Sequence, residues 1–215
     1  MFAKCYSQYY ELFNSDKPYK KEIEFVYKWA GNPSRILDIG CGTANYWQHF
    51  PHDCFIVGID SSKEMIAASK HKNRILHQNV LEGFKRTWLQ VGLVTALFDV
   101  INYIPDHSWW KDLPLQKGGH FIFDIFNESM VKRDGFRATK KTIGSISRMI
   151  SPLNYDGKKI ILEIKFGGNG LKLQELHTMY IWSEKDIESF CGREFGIVEV
   201  KNTSTWQQWW KLQRK

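Results

Sequence analysis

The chain has 215 residues, of which 43% are hydrophobic and 25% charged, with a formal net charge of +7. That is enough apolar material for one buried core and excludes a short peptide or a disordered tail. No run of about 18 apolar residues would cross a bilayer, and the opening MFAKCYSQYYELF lacks the apolar core of a signal peptide, so a soluble cytoplasmic protein is expected. The charge is uneven: residues 1–134 carry 16 Lys and Arg against 15 Asp and Glu, and residues 135–215 carry 14 against 8, which puts +6 of the +7 in the second part. Such an excess suits an anionic metabolite or RNA as readily as a plain basic surface. Cys5, Cys41, Cys54 and Cys191 are scattered, without the spacing of a disulfide framework or a zinc site, so buried thiols and no metal are expected.

Taken in order, residues 1–31 form two tyrosine-rich helical patterns broken at Asp16, Lys17 and Pro18, and they end at Gly31, Asn32 and Pro33. RILDIGCGTAN follows. Ile36, Leu37 and Ile39 suit a buried parallel strand, and Gly40 and Gly42 let the backbone turn where a Cβ would obstruct a ligand. Residues 44–50 are expected to open a helix whose free N–H groups face that ligand. CFIVGID is a second buried strand whose terminal Asp60 lies 22 positions after Asp38, placed to accept hydrogen bonds from ribose hydroxyls. Ser61 is expected to cap the next helix, with Glu64 as reciprocal partner and Met65, Ile66 and Ala68 on its apolar face.

RILHQNV reads as a third strand and VGLVTALFDVINYI as a longer fourth, followed by a helix carrying Trp109, Trp110 and Leu113. GGHFIFDIFN supplies the fifth. Alternating strands and helices predict a mostly parallel α/β sheet, with ligands beyond the strands' carboxyl ends, where Gly40, Asp60, Asn79, Phe98, Tyr103 and Asp124 fall. From Thr139 to Trp182 the pattern becomes long and alternating, with turns at Asp156-Gly157 and Asn169-Gly170, and predicts an antiparallel insertion. Ser183, with Asp186 three positions on, starts a last helix, and two terminal strands carry Trp206, Trp209 and Trp210. Packing on the sheet is expected for these tryptophans, with membrane or base stacking as the alternatives.

Position 45 is Asn where a dinucleotide loop needs its third glycine, and Asp38 would repel a pyrophosphate but could pair with the amino group of a methionine-derived ligand. At ILDIGCGTAN and GIDSS the sequence resembles the class I S-adenosylmethionine-dependent methyltransferases. The resemblance implies a Rossmann-like seven-stranded sheet and S-adenosylmethionine as cofactor, with contacts from Asp38, Gly40, Cys41, Gly42, Asp60, Ser61, Met65, Asn79, Val80 and Phe98. Three positions depart from the family pattern: Ala44 replaces a glycine, Asn79 an acidic residue and Gly92 an aspartate. YSQYYELFNSDKPYKKEIEFV, TALFDVINYI and LHTMYIWSEKDIESF resemble, more narrowly, bacterial small-molecule N-methyltransferases, including those acting on nucleotide-linked amino sugars. That implies Tyr10 and Tyr19 as part of a helical cover (residues 1–31), residues 139–182 as a lid over the substrate, and Tyr103 beside the accepting atom.

An amine must lose a proton around methyl transfer, and Tyr103, His177, Asp124 and, less directly, His107 are placed for that role. The expected substrate is therefore a small, anionic or nucleotide-linked metabolite methylated on nitrogen rather than oxygen. RNA methylation, a nicotinamide oxidoreductase and a silent cofactor-binding scaffold are the alternatives. One domain, in a monomer or homodimer, is expected.

Overall fold

A computed structural model describes residues 4–84, 90–126, 136–202 and 207–215. The apolar runs around the glycine loop pair as parallel strands: β1 (Arg35–Ile39) lies between β2 (Phe55–Asp60) and β4 (Val91–Ala96), with β3 (Ile75–His77) outside β2 and β5 (Leu115–Ile125) outside β4. The terminal pair, β10 (Phe195–Asn202) and β11 (Gln208–Arg214), completes the sheet, with β11 antiparallel to both β5 and β10. The order is therefore β10-β11-β5-β4-β1-β2-β3, a seven-stranded, mostly parallel sheet. Both faces are covered: Leu37, Ile39, Val94, Phe121 and Phe123 pack in one apolar layer, and Ile36, Ile56, Leu93 and Ile122 in the other.

Four strands form a separate antiparallel sheet: β6 (Thr139–Ile143), β7 (Ile146–Tyr155), β8 (Lys159–Gly168) and β9 (Leu171–Tyr180). The first alternating stretch divides at Gly144, whose φ of +58° allows a tight turn into β7. The β8–β9 turn uses Asn169 and Gly170, both left-handed, as expected of a hairpin with this dipeptide. Against this sheet packs α1 (Lys4–Phe13), with Tyr6 and Phe13 buried on Ile164 and Phe166. α2 (Tyr19–Trp29) lies instead on the parallel sheet through Ile23 and Val26.

Several expected helices are shorter than their patterns. Residues 44–50 give only a 3-10 turn at Trp47–His49, because Ala44 is left-handed (φ +61°) and cannot begin a right-handed helix. The fourth strand stops at Ala96, since Phe98 and Asp99 are also left-handed, and Trp109 and Trp110 are buried on a 3-10 turn, Ser108–Asp112, rather than on an α-helix. The cap of α3 (Lys63–Ala68) is Ser62, not Ser61: Ser62 Oγ accepts Met65 N at 3.2 Å and donates to Glu64. In α4 (Glu184–Cys191) the Ser183–Asp186 capping box is complete in both directions. Trp209 and Trp210 are buried on opposite faces of β11, whereas Trp206 lies outside the described residues. Cys41, Cys54 and Cys191 are buried free thiols, and no metal-binding cluster occurs among the described residues. No helix among them is long and apolar enough to cross a membrane.

Candidate active site

The carboxyl ends of the parallel strands open into a cleft of about 330 Å3, and a small recess of about 20 Å3 lies behind it; Gly40 lines both. Of the residues expected to hold a cofactor, Asp60, Ser61, Asn79 and Val80 line the cleft, and Tyr10, Tyr19, Asp38, Cys41 and Phe98 line the recess. Gly42 and Met65 line neither. Met65 is buried behind the loop, its Cε 2.9 Å from where a Cβ on Gly42 would stand, so this residue backs the glycine turn.

Asp60 holds the loop as well as facing the cleft. Its carboxylate accepts Gly42 N at 2.8 Å and Ser62 N at 2.8 Å, while burial pushes its pKa up against those hydrogen bonds. Asp38 accepts Thr95 Oγ1 and Trp47 Nε1, both at 2.8 Å, and burial raises its pKa to about 6 despite these donors. The recess also contains two buried hydroxyls, Tyr19 Oη and Thr43 Oγ1, that make no hydrogen bond among the described residues. Lys17 closes this end, bonded to Glu22 at 2.6 Å with its ammonium 4.5 Å from the Phe98 ring centre. Tyr46 Oη donates to the same Glu22.

The expected proton acceptors separate. Tyr103 lines the cleft. His177 is buried behind it, with Nδ1 3.5 Å from Tyr103 Oη and Nε2 3.2 Å from Glu175 Oε2. Asp124 lines neither cavity. Its oxygens accept Phe98 N at 2.7 Å, Asp99 N at 3.1 Å and Gln207 Nε2 at 2.7 Å, so it fixes the left-handed turn after β4. His107 lines neither cavity: Trp110, Trp182 and Phe190 enclose it, and burial drives its pKa down to about 3.

The sequence reading missed Gln78, Leu81, Pro105, Leu176, Thr178 and Tyr180 on the cleft wall. The last three project from one face of β9 by strand alternation, a signal present in LHTMY but without an address until the insertion is docked.

Residues 36–113 match the methyltransferase domain family. The whole fold is similar to a crystal structure of an S-adenosylmethionine-dependent methyltransferase from Clostridium acetobutylicum ATCC 824, with a TM-score of 0.81, 21% identity and coverage of 98% of this chain and 99% of that one. Residues 36–113 are thus matched as a methyltransferase domain, and the whole chain shares the fold of a solved S-adenosylmethionine-dependent methyltransferase. A curated relative in Streptomyces venezuelae, a dTDP-3-amino-3,4,6-trideoxy-alpha-D-glucopyranose N,N-dimethyltransferase, is 19% identical over 211 residues, covering 88% of this chain and 89% of its relative. Another, a protein of Geobacillus sp. (strain WCH70) named as a methyltransferase, is 27% identical over 146 residues; the match spans 58% of each chain.

S-adenosylmethionine fits the groups present. The recess offers a carboxylate in Asp38 and two unpartnered hydroxyls to the amino-acid end of such a ligand, and the cleft offers Asp60 to its ribose and the wall of Asn79 and Val80 to its adenine.

Proposed function

We propose that this methyltransferase moves a methyl group onto the amino nitrogen of a small metabolite. The observation that carries this reading is the series Tyr103–His177–Glu175, which runs from the cleft wall into the insertion. With Glu175 accepting a hydrogen bond from Nε2–H, Nδ1 is the accepting nitrogen of a neutral imidazole, so the Tyr103 hydroxyl turns its hydrogen toward His177 and its lone pairs toward the cleft. Burial holds Tyr103 well above the usual phenol pKa and lowers that of His177, an effect Glu175 opposes. Tyr103 therefore stays a phenol and passes a proton on.

Bound S-adenosylmethionine supplies an electrophilic methyl carbon on a sulfonium whose sulfur leaves as a neutral thioether when the carbon–nitrogen bond forms. Tyr103 Oη accepts the proton that the methylated nitrogen sheds and gives its own to His177 Nδ1, where Glu175 stabilises the imidazolium. The remaining requirement is orientation, which the cleft walls meet by holding the nitrogen in line. The dimethylated amino group of the Streptomyces venezuelae relative's named reaction supports nitrogen as the accepting atom.

Methyl-labelled S-adenosylmethionine offered with a panel of primary amines tests the proposal. Label is expected on an amine, with Tyr103→Phe lowering kcat at least tenfold and leaving S-adenosylhomocysteine affinity unchanged. Label on tRNA alone, or an unaltered kcat in Tyr103→Phe, would overturn it.

A further inference from the structure

The series Tyr103–His177–Glu175 ends on a carboxylate with two partners. Glu175 and His177 share one face of β9 and are both buried; Glu175 Oε2 meets His177 Nε2 at 3.2 Å, while Glu175 Oε1 accepts Tyr6 N of α1 at 2.9 Å. The first turn of a helix has no internal acceptors for its N–H groups, and Glu175 supplies one. Tyr6 lays its ring 5.3 Å from the imidazole, centre to centre, and turns its hydroxyl to Asn14 and Arg148, so the backbone of α1 rather than the phenol reaches the carboxylate.

The same helix reaches the cofactor side. Tyr10, a helical turn after Tyr6 and 5.7 Å from it between ring centres, lines the recess and packs on Phe98 at 6.2 Å. At the other end of α1, Phe13 meets Phe166 edge-on at 5.5 Å, with the Arg148 guanidinium 5.2 Å from its ring centre. A ligand in the recess touches Tyr10 only while α1 is docked, so its binding favours the docked helix. Docking matters to the imidazole because a Glu side chain turns about several bonds, and Tyr6 N holds one oxygen so that the other stays on Nε2. Hydrogen on Nε2 leaves Nδ1 as the acceptor for Tyr103 Oη, 3.5 Å away; hydrogen on Nδ1 removes that acceptor.

We infer that Glu175 is a positioning residue joining α1 to the proton relay, so that a cofactor in the recess, by docking α1, fixes His177 as the Nε2–H tautomer able to take a proton from Tyr103. The base is then assembled before the methyl acceptor arrives, and an empty recess leaves it unassembled. The inference rests on the methyltransferase reading above, and it concerns how the relay is put together rather than which amine it serves.

Nitrogen-15 NMR of the imidazoles in the full chain, above about pH 7.5 where a buried His177 is neutral, reads the tautomer directly, with His177→Gln assigning the signals. Saturation with S-adenosylhomocysteine should place the hydrogen on Nε2 and slow hydrogen exchange at the Tyr6 amide at least fivefold. Glu175→Gln is the deciding variant: Tyr6 N claims the amide oxygen, the amide nitrogen turns to Nε2, and the ring hydrogen moves to Nδ1. Phe13→Ala loosens α1 at the end away from Glu175; its tautomers should be mixed without ligand and return to the Nε2–H form on saturation. Three results would each overturn the inference: hydrogen kept on Nε2 in Glu175→Gln, Tyr6 exchange indifferent to S-adenosylhomocysteine, or a Phe13→Ala chain whose Tyr6 amide exchanges faster than in the parent while the unliganded tautomer stays on Nε2. Failure of S-adenosylhomocysteine to bind the parent chain would instead sink the methyltransferase reading, and an unaltered kcat in Tyr103→Phe beside the expected tautomers would sink the relay's chemical role but not its assembly.

Discussion

Two turns at the carboxyl edge of the parallel sheet are built alike, and only one announces itself. After β1, left-handed Gly40 and Gly42 form a loop held by a carboxylate from the neighbouring strand, Asp60, through Gly42 N. After β4, Phe98 (φ +69°) and Asp99 (φ +61°) form a second left-handed turn, held by the carboxylate of the next strand, Asp124, through both backbone N–H groups. In the first turn glycine removes the steric cost. In the second a phenylalanine and an aspartate accept it, and the carboxylate must compensate. A strained turn is therefore maintained either by residue type or by a buried acceptor, and the second solution leaves no motif.

This contrast orders the expected mutational effects. Asp124→Ala strips both amides of the unassisted turn of their acceptor, along with Gln207, and should cost about 3 to 5 kcal/mol in urea unfolding. A loss under 1 kcal/mol would mean that the turn holds itself. A control comes from outside both turns. His107 has a native pKa of about 3, below its unfolded value near 6.5, so the unfolded chain takes up the proton first and stability is lost as pH falls below about 6.5. His107→Phe should remove roughly 3 kcal/mol of that loss at pH 4 and flatten the curve of stability against pH; an unchanged slope between pH 4 and 6.5 would assign the acid sensitivity elsewhere.

Asp60→Ala leaves a glycine-assisted turn without its acceptor and removes the carboxylate proposed for the ribose. We expect S-adenosylhomocysteine binding to weaken by about 1 to 3 kcal/mol in calorimetry, with a smaller loss of fold stability than in Asp124→Ala. The reverse ranking of the two stability losses would break the comparison. The smallest change is a gain: Ala44, left-handed at +61°, stands at the last position of the glycine loop, and Ala44→Gly should add about 1 kcal/mol. A lower melting temperature in that variant would show that the Ala44 methyl, buried at 2% exposure, contributes more by packing than its conformation costs.

The parallel strands and the loop were legible because Ile36, Leu37, Ile39 and Gly40 encode strand and turn within a few neighbouring residues. Asp60 was legible by its place at a strand tip. Asp124 was located correctly at a strand end, but its bonding was not legible, since a carboxylate there reads the same whether it faces a ligand or two amides. His177 and Glu175 alternate with Thr178 and Leu176 on β9, and the pattern does not say which face meets α1 and which the cleft. Lys17 looked like a helix break; its place over Phe98 depends on two segments that approach only in the folded chain.

The docking of α1 also bears on how the chain is made. Glu175 accepts a hydrogen bond from Tyr6 N, in the first turn of that helix, across 169 positions of sequence, and Lys141 Nζ reaches Phe13 O across 128. At about 5 to 20 residues per second, roughly ten to thirty seconds of synthesis separate Tyr6 from the carboxylate that anchors it. Throughout that interval a helix bearing Tyr6, Tyr9, Tyr10 and Phe13 has no sheet to lie on, which makes the emerging N-terminal segment a client for whatever shields apolar surface at the ribosome.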